Sequence, residues 1–289
     1  MIDQLRIADI PISIHYQSPA QFNGEIYESF QCDCHPEVNI HLKDDHFPKI
    51  NLQNQKPLFD SQSVWRLYLS GQTILFIQKS VIDDFSNPLL AAFFKDHYQS
   101  VDLYIRTNHN DPEDVFNPYP LDYPLGQILI ISLLAQKRGV MFHACGVDDQ
   151  GNGYLFTGNS THGKSTMANL WMQNDGRILN DDRVIVRQRG DTFRIFGTPW
   201  HGDFPVTSNR DVPLKKIFIL KHDKKNQVKP VDGSMALSML LTRIFPVIWD
   251  KTGMEFTLDF CTRLISKVPC YQLGFKPDSD IIDFIRCVP

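Results

Sequence analysis

Gly158-Asn159-Ser160-Thr161-His162-Gly163-Lys164-Ser165 is the stretch on which the fold turns. It fits the spacing G-x-x-x-x-G-K-[ST]. Such a loop curls its backbone N–H groups around a polyphosphate, and the helix behind it adds the positive end of its dipole. Lys164 can then reach the β- and γ-phosphates of ATP, and the Ser165 hydroxyl can ligate Mg²⁺. The flanks agree. Tyr154-Leu155-Phe156-Thr157 reads as a strand entering the loop, and Met167-Ala168-Asn169-Leu170-Trp171 as a helix leaving it. His162 occupies a variable loop position, where a solvated side chain is the plainer reading.

Working outward, Asp181-Asp182 lies within a strand candidate, Ile178–Arg187, after the helix. A carboxylate there can hold Mg²⁺ directly or through water. Neighbours on a regular strand point to opposite faces, so the two acids should have different roles unless the strand ends or bulges. A solvated acidic pair is the alternative. His143 sits on Val140–Val147, the strand before the one that enters the loop. An imidazole close to a γ-phosphate can position or deprotonate a hydroxyl. Taken alone, between Phe142 and Ala144, it would read as a core histidine.

The rest of the second half alternates strand and helix. Strands are expected at Gly153–Thr157, Thr192–Phe196 and Lys216–Leu220. Helices are expected at Lys164–Gln173, Ser234–Phe245, Glu255–Val268 and from Asp278 to about Cys287. The first 110 or so residues are mostly β. Val64–Leu69 and Thr73–Ile77 flank Ser70-Gly71-Gln72 as a hairpin, and Asp102–Arg106 is a further strand. Between the halves, Asn108 to Pro124 carries four prolines, Pro112, Pro118, Pro120 and Pro124, and marks the domain boundary. Pro124 suits the first turn of a helix whose apolar face is Leu125, Ile128, Leu129, Leu133 and Leu134 and that Gly139 would cap. The expected organisation is a β-rich domain over residues 1–110 and an α/β P-loop domain over 119–289.

Composition limits the partners. The chain has 289 residues, of which 42% are hydrophobic and 21% charged, ordinary proportions for a globular protein. A net charge of −4 gives no global field for nucleic acid. No apolar run reaches the roughly 18 residues needed to span a bilayer. Met1-Ile2-Asp3-Gln4-Leu5-Arg6 does not read as a signal peptide. A cytoplasmic protein with no membrane partner is expected, and its six cysteines read as free thiols.

Three segments invite other readings. Cys32-Asp33-Cys34-His35, with His41 and His46 nearby, suggests a metal, but the spacing is unusual for zinc. Trp200-His201-Gly202-Asp203 is either a loop near the nucleotide or a rigid turn. Lys215, Lys216, Lys221, Lys224, Lys225 and Lys229 read as a solvated basic surface, with an acidic peptide or subunit contact as the alternative.

Taken together, His143, the P-loop and Leu179-Asn180-Asp181-Asp182-Arg183-Val184 resemble the catalytic domain of the HPr kinase/phosphorylase family. That family shares its nucleotide-binding architecture with ATP-dependent phosphoenolpyruvate carboxykinase. The resemblance is clear over Val140 to Val186. Gly197-Thr198-Pro199-Trp200-His201-Gly202-Asp203, followed by Pro213-Leu214, is closer to the divergent stand-alone HPr-kinase-like proteins. Some of those phosphorylate ribosomally made precursor peptides, including lasso-peptide precursors. Two departures stand out: Thr161 replaces a usual glycine, and the downstream arginine-and-glycine signature is missing. HPr itself and the reverse phosphorolysis are therefore not expected.

The resemblance implies an ATP- and Mg²⁺-dependent kinase acting on a Ser or Thr hydroxyl of a peptide or small protein. Gly158 to Thr166 would bind the triphosphate. Ser165 with one of Asp181 and Asp182 would hold the metal, and His143 with the other aspartate would activate the acceptor. Transfer also calls for an arginine, for which Arg183 and Arg210 are candidates. Residues before Asn110 would select the acceptor. Homo-oligomers are common among such relatives. A non-catalytic nucleotide-binding regulator or assembly factor and a small-molecule kinase are the alternatives.

Overall fold

In a computed structural model of the chain, residues 2–16, 24–43, 47–52, 55–106, 118–159 and 162–289 are described. They divide into two compact units, Met1–Leu133 and Leu134–Pro289.

The first unit is built on the expected hairpin. Trp65–Ser70 (β5) pairs with Thr73–Gln78 (β6), and Ser70 faces Thr73 across a two-residue turn. Gly71, at φ +62°, supplies the left-handed turn conformation. Six more strands complete the sheet: Ile2–Ile7 (β1), Ile10–His15 (β2), Val38–Leu42 (β3), Phe59–Asp60 (β4), Leu90–Lys95 (β7) and Ser100–Ile105 (β8). Their order is β1-β2-β3-β8-β7-β6-β5-β4. The β2–β3 and β3–β8 pairs are parallel. Alternation fixes the faces: Ile10, Ile12 and Ile14 on β2 and Val38, Ile40 and Leu42 on β3 are buried. On one side of the sheet lies a cleft of about 610 Å³, whose lining includes Ile50, Leu52, Arg66, Tyr68 and Phe85. The helix Leu125–Leu134 (α1) follows Pro124 as expected.

One expectation fails here. Cys32 and Cys34 are joined in a disulfide, while Cys145, Cys261, Cys270 and Cys287 are free. No group of three His, Cys, Asp or Glu side chains among the described residues could hold a metal, and His46 lies outside those residues.

The second unit is mixed α/β. Its strands are Val140–Asp149 (β9), Asn152–Thr157 (β10), Arg177–Asn180 (β11), Arg183–Arg189 (β12), Thr192–Phe196 (β13), Asp211–His222 (β14), Gln227–Pro230 (β15) and Cys270–Phe275 (β16). Its helices are Lys164–Met172 (α2), Gly233–Leu241 (α3), Lys251–Lys267 (α4) and Asp280–Cys287 (α5). The sheet runs β10-β9-β12-β13-β14-β16-β15, and β10 also pairs with β14, so five strands close into a ring. β10, β14 and β16 are parallel, and their carboxyl ends lie on one side. Two apolar clusters pack the unit. One joins α2 and α5 through Met167, Trp171, Ile281 and Ile285. The other joins α3 and α4 through Ala236, Leu240, Phe260 and Leu264. On α4 the buried residues Gly253, Thr257, Phe260, Cys261 and Leu264 fall at helical spacing.

Among the expected boundaries that shift, the helix foreseen from Glu255 begins at Lys251. The strand foreseen at Lys216–Leu220 extends from Asp211 to His222, because its first residues pair with β13. The helix foreseen to Phe245 stops at Leu241, because Ile244 bridges to Phe142 on β9 and Phe245 donates its N–H to the Met141 carbonyl. Among the described residues, no helix is long and apolar enough to cross a membrane.

Candidate functional site

The loop after β10 turns into α2 through Gly163, whose φ is +91°. A Cβ there would meet the Phe275 ring at 2.8 Å, so both the conformation and the space demand glycine. His162 donates its N–H to the Asn159 carbonyl at 3.1 Å, and its ring Nδ1 lies 3.0 Å from the Leu220 carbonyl. Ser160 and Thr161 lie outside the described residues.

The strand expected over Ile178–Arg187 is two strands. Both β11 and β12 pair with β9, the register slips between Ile178 and Asn180, and the ladder is interrupted at Asp181 and Asp182. Asn180 makes the interruption possible. Fully buried, its Oδ1 accepts the N–H groups of Asp182 and Arg183, each at 2.8 Å. Its Nδ2 donates to the carbonyls of Thr198 at 3.0 Å and Trp200 at 3.1 Å. All four bonding positions of the amide are used. Asn180 was not singled out from the sequence; the signal was a polar side chain inside an apolar strand.

The two aspartates therefore have different surroundings. Asp181 is 3% exposed, and its oxygens accept the N–H groups of Gly202 at 2.9 Å and Phe204 at 3.1 Å. Asp182 Oδ1 lies 2.9 Å from His143 Nε2, and Asp182 Oδ2 pairs with Arg183. Burial raises the Asp182 carboxyl, but the His143 hydrogen bond and the charges of Arg183, His143 and Lys164 outweigh it and hold the group below the usual carboxylate range. Burial lowers the Lys164 ammonium below the usual lysine range, against the pull of Asp182 and Asp181.

The Gly197–Asp203 segment closes this side. A Cβ on Gly197 would meet the Ser208 carbonyl at 2.1 Å, and one on Gly202 would meet Asp182 Cβ at 2.9 Å. Thr198 Oγ1 donates to the Arg183 carbonyl at 2.6 Å. The segment is thus the turn that seats the two acids, and it also borders the site.

One cleft of about 590 Å³ is lined by His143, Gly163, Lys164, Ser165, Thr166, Asp181, Asp182 and Arg183, together with His201, Gly202 and Asp203. Gly158, Asn159 and His162 are not among its lining residues. Arg183 reaches the cleft but is engaged with Asp182, and Arg210 is not in the lining. A third arginine faces the loop instead. Arg243 Nη2 donates to Asn159 Oδ1 at 2.8 Å, and its carbonyl accepts the His143 N–H at 2.8 Å. It lies close enough to Lys164 for their like charges to interact. It escaped the sequence reading because it lies 84 residues from Asn159.

Residues 125–276 match the model of the family described as SynChlorMet cassette protein ScmC. No curated protein matches the chain. The HPr(Ser) kinase/phosphatase from Coxiella burnetii is similar over 50% of this chain and 95% of its own, at 11% identity and a TM-score of 0.31.

Proposed function

The chain belongs to the SynChlorMet cassette protein ScmC family, and on that premise we propose that it is an ATP- and Mg²⁺-dependent kinase. Its acceptor is a Ser or Thr hydroxyl of a peptide or small protein, of the ribosomal precursor class that includes lasso-type precursors. One observation carries the reading: His143 Nε2 stands 2.9 Å from Asp182 Oδ1, in the cleft that also holds Lys164 and Ser165. A nucleotide sensor has no need of a hydroxyl-activating pair.

The donor set fits a hard cation beside a triphosphate. Ser165 Oγ and the Asp181 and Asp182 carboxylates offer oxygen only, and each Asp181 oxygen keeps a lone pair beyond its bond to a backbone N–H. Bound magnesium neutralises phosphate charge. The residues of the chain do the rest by position and charge. Backbone N–H groups at the start of α2 and the Lys164 ammonium hold the phosphates. The His143–Asp182 pair orients the acceptor hydroxyl and takes its proton. Arg243 anchors the loop through Asn159 and adds positive charge near Lys164. Asp181 fixes the loop at Gly202 and Phe204, so that Asp182 keeps its place. This assigns the second unit to a P-loop kinase domain of the HPr kinase/carboxykinase type, and acceptor selection to residues before Asn110.

The test is γ-labelled ATP and Mg²⁺ with the full chain and candidate precursor peptides. Label on a Ser or Thr that disappears with Asp182→Asn is the expected result. Nucleotide binding with no transfer to any peptide would leave the regulator reading, and transfer to a metabolite the small-molecule one.

A further inference from the structure

The cleft accounts for the phosphates and the acceptor but not for the nucleoside. All the acid–base groups lie on one flank of the loop, on β9 and at the β11–β12 break. The γ-phosphate belongs on that flank, so the nucleoside must leave over the other. That other flank is formed by the carboxyl ends of β14 and β16, which lie beside the β10 end and its loop. Crevices at the carboxyl ends of parallel strands are where such sheets hold ligands.

Two imidazoles stand there. His222 closes β14 and is exposed. Its ring meets the His162 ring edge to face, with centroids 5.6 Å apart. His162 is fixed from behind by the Leu220 carbonyl at 3.0 Å. The turn beside them is tied by hydrogen bonds. Asp223 accepts the Lys224 N–H at 2.8 Å, Asn226 Oδ1 accepts the Lys276 N–H at 2.9 Å, and Phe275 packs under Gly163. A half-buried ring held by a backbone carbonyl and supporting an exposed one offers a flat π-face at the rim of a phosphate loop. A planar base is the ligand chemistry that fits it.

We propose that His222, braced by His162, is the platform on which the nucleobase of the bound nucleotide stacks. The inference rests on the P-loop reading above and adds the base-side half of the site.

Calorimetry of the full chain with two probes, MgATP and Mg-tripolyphosphate, separates base from phosphate. His222→Ala should weaken ATP about five- to a hundredfold, the range that base–aromatic stacking spans, and leave tripolyphosphate unchanged. His222→Phe, which keeps a stacking face, should restore ATP affinity. Unchanged ATP affinity in His222→Ala would overturn the proposal. So would an equal loss for both probes, which would make the histidine a support of the loop. Wild-type protein that binds tripolyphosphate as tightly as ATP would sink the platform alone. Wild-type protein that binds neither would sink the P-loop reading and the platform with it.

Discussion

His143 Nε2 and Asp182 Oδ1 are 2.9 Å apart, although no local sequence pattern brings β9 and the β11–β12 break together. The register does it: Arg183 faces His143 across the β9–β12 ladder, and Ala144 donates its N–H to the Asp182 carbonyl at 3.0 Å. The acid is thereby held beside the imidazole from the break between β11 and β12. If this pair activates the acceptor, Asp182→Asn should lower kcat by about 10²–10⁴ and leave ATP affinity within a few-fold. Steady-state kinetics with calorimetry decides, and equal losses in kcat and ATP binding would assign the residue to the nucleotide instead.

The same pair gives a pH dependence of stability. The folded Asp182 carboxyl lies below its unfolded value of about 3.9. Its contribution is therefore present in full above about pH 4 and is lost as the pH falls through the folded value. Denaturant midpoints of wild type and Asp182→Asn should differ most at neutral pH and converge in acid. A difference that stays constant down to pH 2 would remove the charge from the explanation.

Lys164 works in the opposite sense. Burial disfavours its ammonium, so the folded chain gives up that proton more readily than the unfolded chain does, and the charge opposes folding below the folded value. Lys164→Ala should lose about 10–100-fold in ATP affinity, by removal of a charge-assisted phosphate contact. It should melt no lower than wild type. Functional groups held against their preferred ionisation commonly trade stability in this way. A clear fall in melting temperature would mean that the side chain supports the fold.

Asn180 is the test of how the acids are held. Removing its four hydrogen bonds with Asn180→Ala should cost roughly 4 kcal/mol, at about 1 kcal/mol per bond. Asn180→Asp keeps the shape but turns an oxygen toward the Thr198 and Trp200 carbonyls, and should destabilise as well. Differential scanning calorimetry reads both. Wild-type melting in Asn180→Asp would show that the amide bonds are replaceable.

How much of this could be read beforehand follows the range of each signal. The loop from Gly158, its strand and helix, and the Gly71 hairpin are local patterns, and they stand where the sequence places them. Short strands such as β1, β3 and β16 carry no turn signature of their own and exist because neighbours pair with them. Asp181-Asp182 could be identified but its geometry could not, because the break depends on an amide whose partners lie 18 and 20 residues away. Arg243 is the extreme case, since only tertiary contact joins it to Asn159. The Gly197–Asp203 motif was visible as a pattern, and its reason was not. Gly202 is small because Asp182 packs against it.

Thiol chemistry checks the core. Burial pushes the Cys261 and Cys270 thiols up to about 12 and raises Cys145 as well. At pH 8 these three should stay protonated and unreactive, whereas exposed Cys287 should react at once. A thiol reagent should therefore count one fast group in the native chain and four after unfolding without reductant, Cys32 and Cys34 being paired. Two or more fast groups in native protein would place a cysteine wrongly.

The first unit offers the last test. Its cleft presents Arg66, whose guanidinium lies 4.1 Å from the centre of the Phe85 ring and whose Nε donates to Asp60 at 2.8 Å. If residues before Asn110 select the acceptor, this is where a peptide finds both an apolar wall and a charge. Arg66→Ala should then raise the acceptor KM about tenfold, the size of one charged contact, and leave the ATP KM unchanged. A fall in kcat with both KM values intact would point to a general disturbance of the fold. Unchanged kinetics for the acceptor would move selection to the second unit, and the segment from Gly197 to Arg210, which borders the phosphate cleft through His201 and Asp203, would be the next to vary.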